Sequence, residues 1–127
     1  MGKTSTKLEN FARIAMDLGP AHASTNYTLS GGFGSTASVT LTDCTDACGR
    51  VRISCAGTGQ AANPTCTIAY NDVTPDRPPH VVVARGGGSQ ATITMSVTSE
   101  FTTGCIFTFN GTAAGTEQYV FTYVAIG

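Results

Sequence analysis

The stretch GRVRISC, Gly49–Cys55, decides the fold. Val51, Ile53 and Cys55 alternate with Arg50, Arg52 and Ser54, a period of two that puts one face of a strand in a dry interior and the other in water. The same rhythm continues on both sides. Upstream, NYTLSGG (26–32) reads as a strand broken by glycine, and TASVTLTD (36–43) sets Ala37, Val39 and Leu41 against hydroxyls. Downstream, CTIAYN (66–71) aligns Cys66, Ile68 and Tyr70, and ATITMSVTS (91–99) aligns Ile93, Met95 and Val97. GCIFTFNG (104–111) aligns Cys105, Phe107 and Phe109. HVVVAR (80–85) is a nearly unbroken apolar run, which predicts a strand covered on both faces. QYVFTYVAIG (118–127) puts Tyr119, Phe121 and Tyr123 on one face and Val120, Val124 and Ile126 on the other, so it belongs at a sheet centre or beneath a covering neighbour. About eight strands at this spacing, with turn residues between them, predict an all-β fold: an antiparallel, jelly-roll-like β-sandwich.

The cysteines of DCTDACGRVRISC (43–55) fit this reading. Paired as a hairpin, VRISC and CTIAY bring Cys55 opposite Cys66, Ile53 opposite Ile68 and Val51 opposite Tyr70, so every apolar residue falls on one face. Cys55 and Cys66 are then core residues, either reduced, as small hydrophobes, or bridged across the pair. Cys44 and Cys48 frame a tight turn and are open to a local disulfide. A four-thiolate zinc site needs two closely spaced pairs, and this chain offers one. Cys105 reads as core, and a total of five cysteines excludes a complete intrachain set.

Residues 4–18 follow a different period. Leu8, Phe11, Ala12, Ala15 and Leu18 recur at helical spacing, Thr6 and Glu9 have the capping-box form, and Gly19-Pro20 stops the run. A lone helix of this length is marginal in water, so its stripe needs a surface to dock on. Leu8, Phe11, Ile14, Ala15 and Leu18 are the candidate docking residues. The chain divides into an N-terminal arm or helix, 1–25, and a sandwich, 26–127.

Composition limits the functions available. Charged residues are 12% of the 127 and the net charge is -1, so bulk charge attracts no nucleic acid. No run reaches the length of a membrane span, and no continuous apolar region marks a secretory signal, which predicts folding in a cytoplasm with reduced thiols. His22 and His80 read as lone imidazoles, and no nucleophile elbow or phosphate loop occurs. The aspartate pairs Asp43/Asp46 and Asp72/Asp76 lack EF-hand spacing and read as turn residues. No catalytic, metal or cofactor site is expected.

From Asn26 onward the ordered strings TLTDCTDACGRVRISCAGTG, CTIAYNDVTPDRPPHVVVARG and TTGCIFTFNGTAAGTEQYVFTYVAIG resemble a small β-sandwich module found in virion proteins of tailed bacteriophages. The landmarks are Asp46, Gly49 and Arg50; Gly57-Thr58-Gly59; Tyr70; Pro79 through Val83; Thr103, Gly104 and Phe107; and Tyr119, Phe121 and Tyr123. The cysteines depart from the module, standing where Thr, Ser or Val is expected. The resemblance implies a non-enzymatic virion protein, assembled in the host cytoplasm. A short chain with one arm and one knob implies a capsid decoration or head-spike protein, a homotrimer that docks residues 1–25 on the major capsid protein, another virion protein or sister subunits. The alternative is the tip of a tail fibre or spike that binds a host receptor through loops 31–36, 57–64 and 85–90, where Phe33 is the lone aromatic.

Overall fold

Eight strands form where the alternation places them: β1 (Tyr27–Leu29), β2 (Ser38–Thr42), β3 (Cys48–Ser54), β4 (Thr65–Ala69), β5 (His80–Gly88), β6 (Thr94–Phe101), β7 (Gly104–Asn110) and β8 (Gln118–Ile126). The computed structural model describes residues 19–72, 77–88, 94–113 and 116–126. The helix expected over 4–18, with Leu8, Phe11, Ile14, Ala15 and Leu18, lies outside the described residues, as does Ile93.

The strands make two antiparallel four-stranded sheets, ordered β1-β4-β7-β6 and β2-β3-β8-β5, which pack as a β-sandwich. The connections β2–β3 and β6–β7 are hairpins, and the others cross from sheet to sheet. The central strands carry the alternation inward. Val51, Ile53, Cys66, Ile68, Cys105, Phe107, Phe109, Tyr119, Phe121 and Tyr123 are all buried in one cluster. Aromatic rings meet across the interior at favourable separations, Phe107 to Phe121 at 5.0 Å and Phe109 to Phe121 at 5.8 Å. Each such side chain contributes about 1.5–3 kcal/mol through burial.

Two local expectations are corrected. The β3–β4 hairpin does not form: β3 lies between β2 and β8, and β4 lies between β1 and β7 in the opposite sheet. Ile53 therefore faces Val39 and Tyr119, while Cys66 faces Leu29 and Phe107. The residues are buried as expected, but they come from opposing sheets rather than adjacent strands. Alternation reports which face is dry, and a sandwich has two inner faces that satisfy it equally. All five cysteines carry free thiols. The second correction is β5, which is an edge strand. Val81 is buried, but Val82 points outward and is 58% exposed.

The sandwich has two unlike ends. The β1–β2 and β3–β4 connections lie at one end, together with the last residues of β5 and β7 and the first residues of β6 and β8. Phe33 is fully buried there against Phe109 and Tyr119, with ring separations of 5.2 and 6.2 Å. At the other end lie the β2–β3 and β6–β7 turns, the β4–β5 connection, the last residues of β8, and the entry of the chain at Gly19–Asn26.

Candidate functional site

The polar centre of the molecule is at this second end, built around His22. Its side chain is fully buried, inside the stretch assigned to the arm. The backbone N–H of His22 donates to the Cys44 carbonyl at 2.7 Å, holding the entering chain against the β2–β3 turn. Nε2 meets Asp46 Oδ1 at 2.6 Å, and Nδ1 meets the Tyr27 hydroxyl at 2.8 Å. The Tyr27 hydroxyl lies 3.1 Å from that of Tyr123, which donates to the Thr45 carbonyl at 2.5 Å.

Local sequence explains how the turn delivers Asp46. Asp43 takes a left-handed conformation (φ 50°), which Asp tolerates better than most residues. The Thr45 hydroxyl accepts the N–H groups of Ala47 and Cys48, closing the turn from within. Cys44 folds beneath it over Gly49, where any side chain would strike the cysteine, and its thiol donates to the Arg50 carbonyl at 3.2 Å. Asp46 is thereby aimed at the ring. Its two oxygens also accept the backbone N–H groups of Asn71 and Asp72, each at 2.8 Å. Partial burial pushes the Asp46 carboxyl up, but the bonds from His22, Asp72 and Asn71 outweigh it and hold the carboxyl below its ordinary value.

An aspartate, a histidine and two tyrosines in contact suggest catalysis, but the geometry does not provide it. A general base needs a ring nitrogen aimed at a reacting proton in reach of substrate. Both nitrogens of His22 are occupied, and the ring has no exposed surface. Burial pushes both tyrosine hydroxyls well above the usual phenol range, so they remain protonated. The cluster fastens the entering chain, the β2–β3 turn, the β4–β5 connection and β8 to one another. His80, by contrast, is exposed at the start of β5, 3.9 Å from Glu100. Among the described residues, no three His, Cys, Asp or Glu side chains gather as a metal site.

The thiols divide by depth. Cys66 and Cys105 are shut in the core, and burial pushes their thiols up to about 12 and about 11. Cys55 is buried and raised in the same direction, whereas Cys48 is half-buried on the outer face of β3, level with Val124.

The same end collects apolar surface. The exposed large apolar side chains among the described residues are Val82, Phe101, Val124 and Ile126. Register places all four there: Val82 pairs with Val124, His80 with Ile126, and Phe101 with Gly104 at the β6–β7 turn. On the flank, the sheets stay open between edge strands β1 and β2, leaving a groove of about 520 Å³ lined by Ser24, Tyr27, Thr28, Leu29, Ala37, Ser38 and Val39. Of the proposed receptor loops, 31–36 contributes no aromatic platform, because Phe33 is core.

Sequence reasoning missed the His22 cluster. Asp46 is 24 positions away and Tyr123 is 101 positions away, so no local spacing announces them. No protein-family model, curated protein or solved structure matches the chain.

Proposed function

We propose that this protein is a non-enzymatic structural component of a bacteriophage particle, a capsid decoration protein that docks through its N-terminal segment. The observation that supports it is the polarity of the sandwich. The chain enters at Gly19, and the exposed apolar side chains Val82, Phe101, Val124 and Ile126 collect at that same end. Val82, Val124 and Ile126 share the outward side of β5 and β8 there, and the apolar spacing read in residues 4–18 supplies a second surface for docking. A capsid protein or sister subunit of a homotrimer is the partner this surface suits, since bracing a shell requires burial rather than chemistry. The buried imidazole and the closed thiols of the core supply no reaction to set against this.

The tail-fibre reading calls for recognition at the opposite end. Its loops would need exposed rings on which a sugar could stack, and Phe33 is withdrawn into the core. Counting copies on purified particles tests the proposal. Hundreds per particle fit decoration, and a handful means a tail appendage. Deleting residues 1–18 should abolish particle binding and leave a folded sandwich; undiminished binding by the truncated protein overturns docking through the arm.

A further inference from the structure

The contacts around His22 outnumber the protons that the tyrosines bring. From Nδ1 the chain of contacts runs to Tyr27 Oη (2.8 Å), then to Tyr123 Oη (3.1 Å), then to the Thr45 carbonyl (2.5 Å), and a longer contact joins Tyr123 Oη to Nδ1 directly (3.4 Å). The three shorter links need three hydrogens. The carbonyl brings none, and the two hydroxyls bring one each. The third has one source, hydrogen on Nδ1. The contact from Nε2 to Asp46 needs its own hydrogen on Nε2, since a carboxylate only accepts. With hydrogen on Nε2 alone, Tyr27 donates to Nδ1 and Tyr123 to Thr45, and two hydroxyl oxygens face each other with nothing between them.

We propose that His22 is an imidazolium with hydrogen on both nitrogens, and that its ion pair with Asp46 is the fastener that sets where the N-terminal segment leaves the sandwich. Among the described residues, each group bonded to the ring suits that charge. Asp46 is the anion, with its remaining acceptor capacity filled by Asn71 and Asp72. Tyr27 from β1 and Tyr123 from β8 are neutral and oriented in series away from the ring. Cys44 donates its thiol to the Arg50 backbone carbonyl, and none of these partners is a cation. The order of donation runs one way, from Nδ1 to Tyr27 to Tyr123 to Thr45, so the ring, the first strand, the last strand and the turn fasten as a unit. This holds whether or not the protein decorates a capsid.

Nitrogen-15 spectra of the two imidazoles of the full-length protein at neutral pH test it. Exposed His80 is the internal reference. The His22 ring should show two slowly exchanging N–H groups, both nitrogens shifted to protonated positions. A bare Nδ1 overturns the proposal without any variant being made. The fastening is read by hydrogen exchange on His22→Gln. The amides of His22 and Asn26 should exchange at least about tenfold faster while those of β3 and β8 keep their protection. Unchanged exchange at His22 and Asn26 overturns the fastener. If the variant does not fold, the same exchange is read on Tyr27→Phe, which cuts the series at its first link.

Discussion

A single carboxylate shows how much of this fold depends on one polar side chain. Asp46 accepts from His22, Asn71 and Asp72, and removing it leaves three donors without their partner. Asp46→Ala should cost roughly 2–3 kcal/mol, less than a fully buried pair because the carboxylate is partly exposed, read as a lowered urea midpoint at pH 7. The pH dependence has a definite sign. The folded carboxyl lies below its ordinary value, so the unfolded chain binds more protons between the two values, and stability rises with pH there. That contribution is complete above the usual aspartate value of about 4 and is lost as pH falls through the depressed folded value. Asp46→Asn should flatten this acid limb; an unaltered profile below pH of about 4 would assign the limb to other carboxylates. Gly104 is a second such position. A side chain there would run into the Ile68 carbonyl, so Gly104→Ala should separate β4 from β7 and cost upwards of about 3 kcal/mol by thermal melt.

At the scale of elements, position within a sheet decides what a residue contributes. β8 is central and presents Phe121, fully buried, to Phe107 and Phe109. β2 is an edge strand, and its Val39 is half-buried beside the open groove. Phe121→Ala should cost about 3–5 kcal/mol and Val39→Ala nearer 1, a contrast that denaturant titration resolves. The edge strand β5 is secured at its start by Glu100 of the other sheet, which accepts the Val81 N–H at 2.5 Å. Past its middle it bulges between Arg85 and Gly87, where Arg50 donates to the Gly86 carbonyl at 2.7 Å. Bulges of this kind discourage edge-to-edge pairing. The cysteines report on the same elements. Labelled with a thiol reagent under native conditions, Cys48 should react first, and Cys66 and Cys105 only on global unfolding, because the thiolate needed for attack is suppressed by burial. Early labelling of Cys66 would mean that β4 and β7 open locally.

For the whole molecule, the expected consequence is asymmetry. Charge placed on the apolar end, as Val82→Lys with Ile126→Glu, should leave stability within about 0.5 kcal/mol, since both side chains are 58% exposed. Under the proposed decoration role, the same double variant should lose attachment to particles, measured by co-sedimentation. Equivalent substitutions at Thr58 and Gln60, at the opposite end, should leave attachment intact. A variant that melts normally and still co-sediments would move the docking surface elsewhere.

Alternation in the chain was sufficient to predict eight strands, their boundaries to within a few residues, and a core of Val51, Ile53, Phe107, Tyr119, Phe121 and Tyr123, because burial of one strand face is a local property repeated every second residue. It could not say which dry face meets which. The misassigned pairing of Cys55 with Cys66 satisfied the same pattern as the true pairings, and HVVVAR read as doubly covered because an apolar run looks the same whether its outward residue, here Val82, is covered or exposed. The joining of His22, Asp46, Tyr27 and Tyr123 was settled only by the tertiary structure. Polar contacts across a sandwich depend on strand order and on crossovers between sheets, and neither leaves a period in the sequence.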